Sequence, residues 1–156
     1  MNPEDIFGKD YNTFSEVDPF NLGNLVEGYI SRKSSEYYGA LIITKVANKE
    51  VEPQLIMGTP KMHYPFDSRA DGTRKYSFPS AKEIEIYEKL DGTNILAFTY
   101  VASGHVYFSY KTRLRPFASS GRFGDFKSMW LEIALPWLPK IKEVMLVNDC
   151  NLSFHA

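Results

Sequence analysis

Three short apolar runs set off by glycine-containing turns constrain the fold of this chain most. In Glu83–Glu88, Ile84 and Ile86 alternate with acids, the period-two mark of a half-buried strand. Asn94–Val101 is a second β-rich run, and His105–Tyr110, with Val106 and Phe108 alternating, is a third. Asp91-Gly92 and Ser103-Gly104 stand between them as turns, so the three runs predict an antiparallel meander. Upstream, Gly39–Val46 and Gln54–Met57 predict a hairpin across Asn48-Lys49. Gly58 to Pro79, with Pro60, Pro65, Gly72 and Pro79, reads mostly as loop.

Downstream the period changes. Phe126, Met129, Trp130, Ile133, Ala134, Trp137 and Leu138 recur at intervals of three and four, which predicts one apolar helix face with Trp130 and Trp137 in the core. Asp125 is placed to cap the helix, and Pro136 to end or kink it. Val144–Val147 and Leu152–Phe154 read as strands. Residues 1–36 are acidic and punctuated by Pro3, Gly8, Pro19, Gly23 and Gly28. They read as a loosely structured polar extension with one short helix near Leu22–Ile30, ahead of a main domain over 37–156. The fold class expected is α+β, dominated by antiparallel sheet with a few helices.

Composition narrows function by exclusion. The net charge of -1 over 156 residues is not that of a uniformly basic nucleic-acid coat. The charge is uneven, however. Lys111, Arg113, Arg115, Arg122 and Lys127 face only Asp125, which makes either a local phosphate-binding face or a solvated surface. The one cysteine, Cys150, allows no intramolecular disulfide and reads as buried and inert. With three scattered histidines it makes no structural zinc site, and no metal ligands are assigned. His63, among aromatics, reads as a packing residue rather than a base. No run has the length of a membrane-spanning helix, and a cytoplasmic location is expected.

The residues that carry chemistry are Glu88-Lys89-Leu90-Asp91-Gly92-Thr93-Asn94. On local pattern alone, Asp91-Gly92 is a hairpin turn flanked by Lys89 and Asn94. Lys-x-Asp-Gly with Asn two residues further on arises by chance in roughly one chain in a thousand of this length, from average residue usage. The motif resembles that of the covalent nucleotidyltransferases, in which a lysine followed by x-Asp-Gly stands at a strand end. Within that superfamily it is most similar to the ATP-dependent RNA ligases of the phage T4 second-ligase type, with Glu before the lysine and Gly-Thr-Asn after it. Asp91 departs from the histidine of the compared representative. A basic element, Lys111-Thr112-Arg113, and a loop, Arg122-Phe123-Gly124, resemble the family's next segments, although the order around Thr112 differs. Leu152-Ser153-Phe154 resembles the start of a strand that ends in an acid in the family; here His155-Ala156 follows. The resemblance covers about residues 40 to 154.

The resemblance implies a partial adenylation domain of the ligase type (ATP-grasp-like) with ATP and Mg²⁺ as cofactors, RNA as partner and a role such as RNA repair. It implies that Lys89 is the nucleophile that takes AMP. Glu88, Leu90, Asp91, Gly92, Thr93, Asn94 and Arg113 would bind the nucleotide. Lys111 and Arg115 are candidates for phosphate or RNA contacts. Lacking the family's later motifs, the chain is expected to be an incomplete fragment with weak or no self-adenylation. The competing expectation is a non-catalytic nucleotide- or RNA-binding module.

Overall fold

The computed structural model describes residues 1–60, 64, 66–78, 80–88, 92–121 and 124–155. The chain opens with a short helix, α1 (Pro3–Phe7), and four strands, β1 (Tyr11–Val17), β2 (Leu25–Ser31), β3 (Leu41–Val46) and β4 (Lys49–Ile56). These form an antiparallel sheet in the order β1-β2-β3-β4. A small hairpin follows, β5 (Phe66–Ser68) with β6 (Arg74–Tyr76). Then come β7 (Asn94–Ala102) and β8 (His105–Thr112), a two-residue pair of β9 (Ser120–Gly121) and β10 (Gly124–Asp125), α2 (Phe126–Ala134), a 3₁₀ turn (Leu135–Trp137), α3 (Leu138–Asn148) and β11 (Leu152–His155). The second main sheet has the order β11-β7-β8.

The two sheets pack through an apolar layer. Leu41, Ile43 and Ile56 of the first sheet meet Phe98 and Tyr100 of β7 and Phe117 from the loop after β8. The opposite face of the second sheet, with Ile95, Ala97 and Tyr110, is covered by Trp130, Ile141 and Met145 of the helices. Outside the first sheet, Phe7 of α1 packs on Ala40 and Ile42. The result is an α+β stack of helix, sheet, sheet and helices. Side chains tie the layers as well. Gln54 of β4 donates from Nε2 to the Val101 carbonyl and accepts the Val101 N–H, at 2.8 and 2.7 Å.

A buried carboxylate, Asp18, fastens the β1–β2 loop to the second sheet. Its oxygens accept from the Phe20 N–H, Asn21 Nδ2, the Tyr100 hydroxyl and the Ser109 hydroxyl, at 2.8 to 3.0 Å. Four donors replace the water that the carboxylate loses, which is what makes its burial tolerable. Burial, foremost, raises the Tyr100 phenol above its ordinary pKa. The Asp18 charge adds to this, against a hydrogen bond from Asn24.

Several expected elements are present. The hairpin over 39–57 forms, its turn shifted one residue to Ala47-Asn48, both at positive φ. Ser103-Gly104 turns β7 into β8 in the same way. Asp125 caps α2, accepting from the N–H groups of Lys127 and Ser128.

Other expectations are corrected. Residues 11–31 are two strands of the first sheet, with no helix at Leu22–Ile30. A three-residue-per-strand hairpin stands within the expected loop over 58–79. Glu83–Glu88 is no strand, and Ile86 is 91% exposed. The place expected for it beside β7 is taken by β11, since β8 already holds the other edge. Val144–Val147 lies in α3, where Ile141 and Met145, four apart, are its buried contacts. Pro136 is absorbed by the 3₁₀ turn, which rotates the apolar stripe. Trp130 is 4% exposed, but Trp137 is 65% exposed, on the wall of an open groove of about 370 Å³ beside Leu152 and Phe154.

The two tryptophans should therefore respond differently to truncation. Trp130→Ala should lower the unfolding free energy by about 3–5 kcal/mol, the cost of emptying a core site. Trp137→Ala should stay within about 0.5 kcal/mol. Urea unfolding of both variants measures this, and equal losses would contradict the layer assignment.

Candidate functional site

Of the candidate residues, Asn94 and Arg113 lie at one end of the second sheet. Ile95 of β7 is paired with Thr112 of β8, and Asn94 and Arg113 each lie one residue beyond that pair. On the other side, Asn94 is in register with His155 of β11. The segment before β7, the basic element after β8 and the end of β11 thus meet at the same edge of the same sheet.

Asn94 is the fixed point of this end. It is buried, and its Oδ1 accepts from the Thr59 hydroxyl at 2.8 Å. Its Nδ2 donates to Ser153 Oγ at 2.7 Å and to the Phe154 carbonyl at 3.2 Å. The side chain therefore joins β7 to β11 and to the loop after β4. Thr93 is half-buried, and Gly92 and Glu88 are exposed to solvent. Lys89, Leu90 and Asp91 lie outside the described residues, as do His63, Arg122 and Phe123.

Lys111 is placed differently from the sequence expectation of a phosphate contact. It is 1% exposed, and its Nζ donates to the carbonyls of Gly39 and Thr112, each at 2.9 Å, and of Arg113 at 3.1 Å. An ammonium has three donors, and all three are engaged on backbone. The close approach depends on Gly39, which has φ +75°. A Cβ there would stand 2.0 Å from the Arg113 carbonyl oxygen. Burial, with the nearby Arg32 charge adding, pushes the Lys111 pKa down to about 7.

Arg113 is half-buried. Its Nε is buried with no hydrogen-bond partner among the described residues. Arg115 is exposed. Three cationic side chains, Arg32, Arg113 and Arg115, thus belong to the loops around this edge. The sequence reading missed Thr59, Ser153, Gly39 and Arg32. Only Gly39, a glycine at a strand start, carried a visible signal of close backbone approach.

The chain matches no protein-family model, no curated protein and no solved structure. Among the described residues no group of three or more His, Cys, Asp or Glu side chains is placed to hold a metal ion.

The Lys111 burial sets a pH dependence. Unfolded, its amine titrates near 10.5, and folded, near 7. Between those values the unfolded chain binds more protons, so stability should rise as pH increases from about 7 toward about 10.5. The contribution is at most ~1.4 kcal/mol per pH unit. Lys111→Met removes it. Urea titrations at pH values across that window should give a steeper rise for the parent than for the variant. Parallel profiles would show that the three carbonyls hold the ammonium protonated throughout.

Proposed function

We propose that this chain carries the nucleotide-transfer end of an ATP-dependent RNA-ligase-like nucleotidyltransferase, with Lys89 as the residue that takes AMP. The observation that carries this reading is the convergence of three separated segments on one sheet end. The motif around Lys89 leads directly into Asn94, the basic element follows β8 as Arg113, and β11 ends opposite Asn94. They are the three segments that the resemblance singles out, and they lie far apart in the sequence.

The chemistry asked of Lys89 is displacement at phosphorus. Its neutral amine attacks the α-phosphorus of ATP, a P–N bond forms, and the bond to the bridging oxygen of the β-phosphate breaks to release pyrophosphate. The amine loses its proton in this step. AMP then passes to an RNA 5′-phosphate, and a 3′-hydroxyl displaces it to seal the strand. A free lysine near its ordinary pKa of about 10.4 is a weak nucleophile at neutral pH, so cationic neighbours that disfavour the ammonium help. Arg113 and Arg115 are candidates for that role and for gripping phosphate oxygens through the guanidinium fork. Glu88, one residue before Lys89 and exposed, is free to meet the adenine amino group.

A second reading, a non-catalytic nucleotide- or RNA-binding module, is favoured by one observation. Asn94 and Lys111, two of the motif residues, are fully engaged in internal hydrogen bonds. Incubation with α-labelled ATP and Mg²⁺, followed by peptide mass spectrometry, separates the two. The expected result is AMP at low occupancy on the peptide containing Lys89, absent in Lys89→Ala. Saturable ATP binding with no covalent adduct selects the binding module, and neither adduct nor binding sinks both readings.

A further inference from the structure

The hairpin of β5 and β6 has one face made almost wholly of aromatic rings. Phe66 and Tyr76 are register partners at 5.6 Å between ring centroids, nearly edge to face. Tyr64 stacks on Phe66 at 5.2 Å, and Tyr76 lies parallel to Phe78 at 6.1 Å with 5° between planes. The guanidinium of Arg74 stands 4.5 Å over the Phe66 ring, on the same face. By the strand pleat, Asp67 and Lys75, which are register partners, fall on the opposite face. The turn is closed by Arg69 and Thr73 backbone bonds and by Asp71 accepting from Thr73, leaving the Arg69 side chain exposed.

No core lies over these rings. Tyr64 is 74% exposed, Tyr76 56% and Phe78 67%. A cross-strand aromatic pair by itself stabilises a hairpin, and Phe66–Tyr76 serves that purpose. Tyr64 and Phe78 extend beyond the paired residues, so hairpin stability does not account for them. Rings held in stacking order, open to solvent and edged by arginine, are what unpaired nucleobases and their phosphates require.

The chain path connects this surface to the candidate site. The insertion that holds the hairpin leaves the first sheet at Thr59, which hydrogen-bonds Asn94, and returns through Gly92 to Asn94 itself. We infer that the aromatic face of this hairpin is a stacking platform for single-stranded RNA, rooted at the nucleotide-transfer end of the second sheet. Bases lie on Tyr64, Tyr76 and Phe78, while Arg69 and Arg74 meet the phosphates. The choice of RNA rests on the function proposed above; the stacking surface itself does not.

The test is fluorescence anisotropy of a short end-labelled oligouridylate against the full chain at low salt, without ATP. Tyr64→Leu/Phe78→Leu keeps apolar side chains and the Phe66–Tyr76 pair, so its urea midpoint should match the parent. Its RNA affinity should fall at least about tenfold, the loss expected when stacking rings are removed. Arg69→Gln should reduce the slope of log affinity against log salt by about 0.7, one released counterion on a single strand. Unchanged affinity in the double leucine variant, no measurable binding by the parent, or equal competition by duplex RNA would each overturn the inference. Lys89→Ala should bind the oligonucleotide like the parent. A chain that binds RNA but never takes AMP would lose only the ligase reading, and one that takes AMP but ignores RNA would lose only the platform.

Discussion

The arrangement of β7 governs the rest of the molecule. One edge is hydrogen-bonded to β8 along nearly its whole length and the other to β11 over Asn94–Ala97, and each face packs on an apolar cluster. Leu96, Phe98 and Tyr100 point toward the first sheet while Ile95 and Ala97 point toward the helices, all buried. Over Asn94–Ala97, where both edges are paired and both faces are buried, the strand has no slack in register, because a one-residue slip would exchange its two packed faces. Everything attached to its ends inherits that fixed position. Asn94 begins the strand and makes three side-chain hydrogen bonds to two other segments, the loop after β4 and β11, so the candidate site is built on a rigid frame.

The neighbouring strand shows how the two sheets are held where apolar packing gives out. Along β8, Ser109 and Lys111 share one face, and both are buried polar groups. Ser109 donates to Asp18, and Lys111 donates to Gly39, so the polar face is joined to the β1–β2 loop at one residue and to the start of β3 two residues later. An ammonium held by carbonyl dipoles instead of a carboxylate keeps its positive charge uncompensated. Its burial is therefore costly, and the amine gives up its proton more readily than a free lysine does. The lysine that the sequence offered as a phosphate ligand gathers the Gly39, Thr112 and Arg113 carbonyls.

What the sequence disclosed were the features decided locally. The Ser103-Gly104 turn, the Asp125 cap and the strand at Leu152 depend on neighbours within a few residues, and each is where its local chemistry predicts. The failures depend on distant competition. Ile84 and Ile86 have the right period for a strand, but β11 occupies the edge of β7 over Asn94–Ala97. Val144–Val147 is rich in β-branched residues, yet Ile141 and Met145 at helical spacing bury against the second sheet, and tertiary packing overrides propensity. The apolar residues of β1 and β2 are broken up by Pro19, Gly23 and Gly28 and set in an acidic stretch, so the segment reads as tail. It is held by strand pairing, by Val26 and Ile30 in the core, and by Asp18. Of the site, the Lys89 motif and Arg113 were visible because their spacing is sequential; Thr59, Ser153 and the Gly39 carbonyl were not, because only the fold brings them to Asn94 and Lys111.

Two of the places where apolar surface is exposed differ in kind. The groove beside Trp137 is lined by aliphatic and indole surface with Lys140 at its edge, a shape that accepts many partners and specifies none. The hairpin face instead presents flat rings in stacking order with a guanidinium already laid over one of them. Stacking is directional, whereas burial of aliphatic surface is not, so ring geometry carries information about a ligand that area alone does not. In sequence the hairpin lies between Thr59, which hydrogen-bonds Asn94, and Asn94 itself. A chain whose net charge is near zero cannot gather RNA by a general basic coat. Aromatic faces paired with a few well-placed arginines are the alternative that such a composition allows, and the hairpin is where this chain concentrates them.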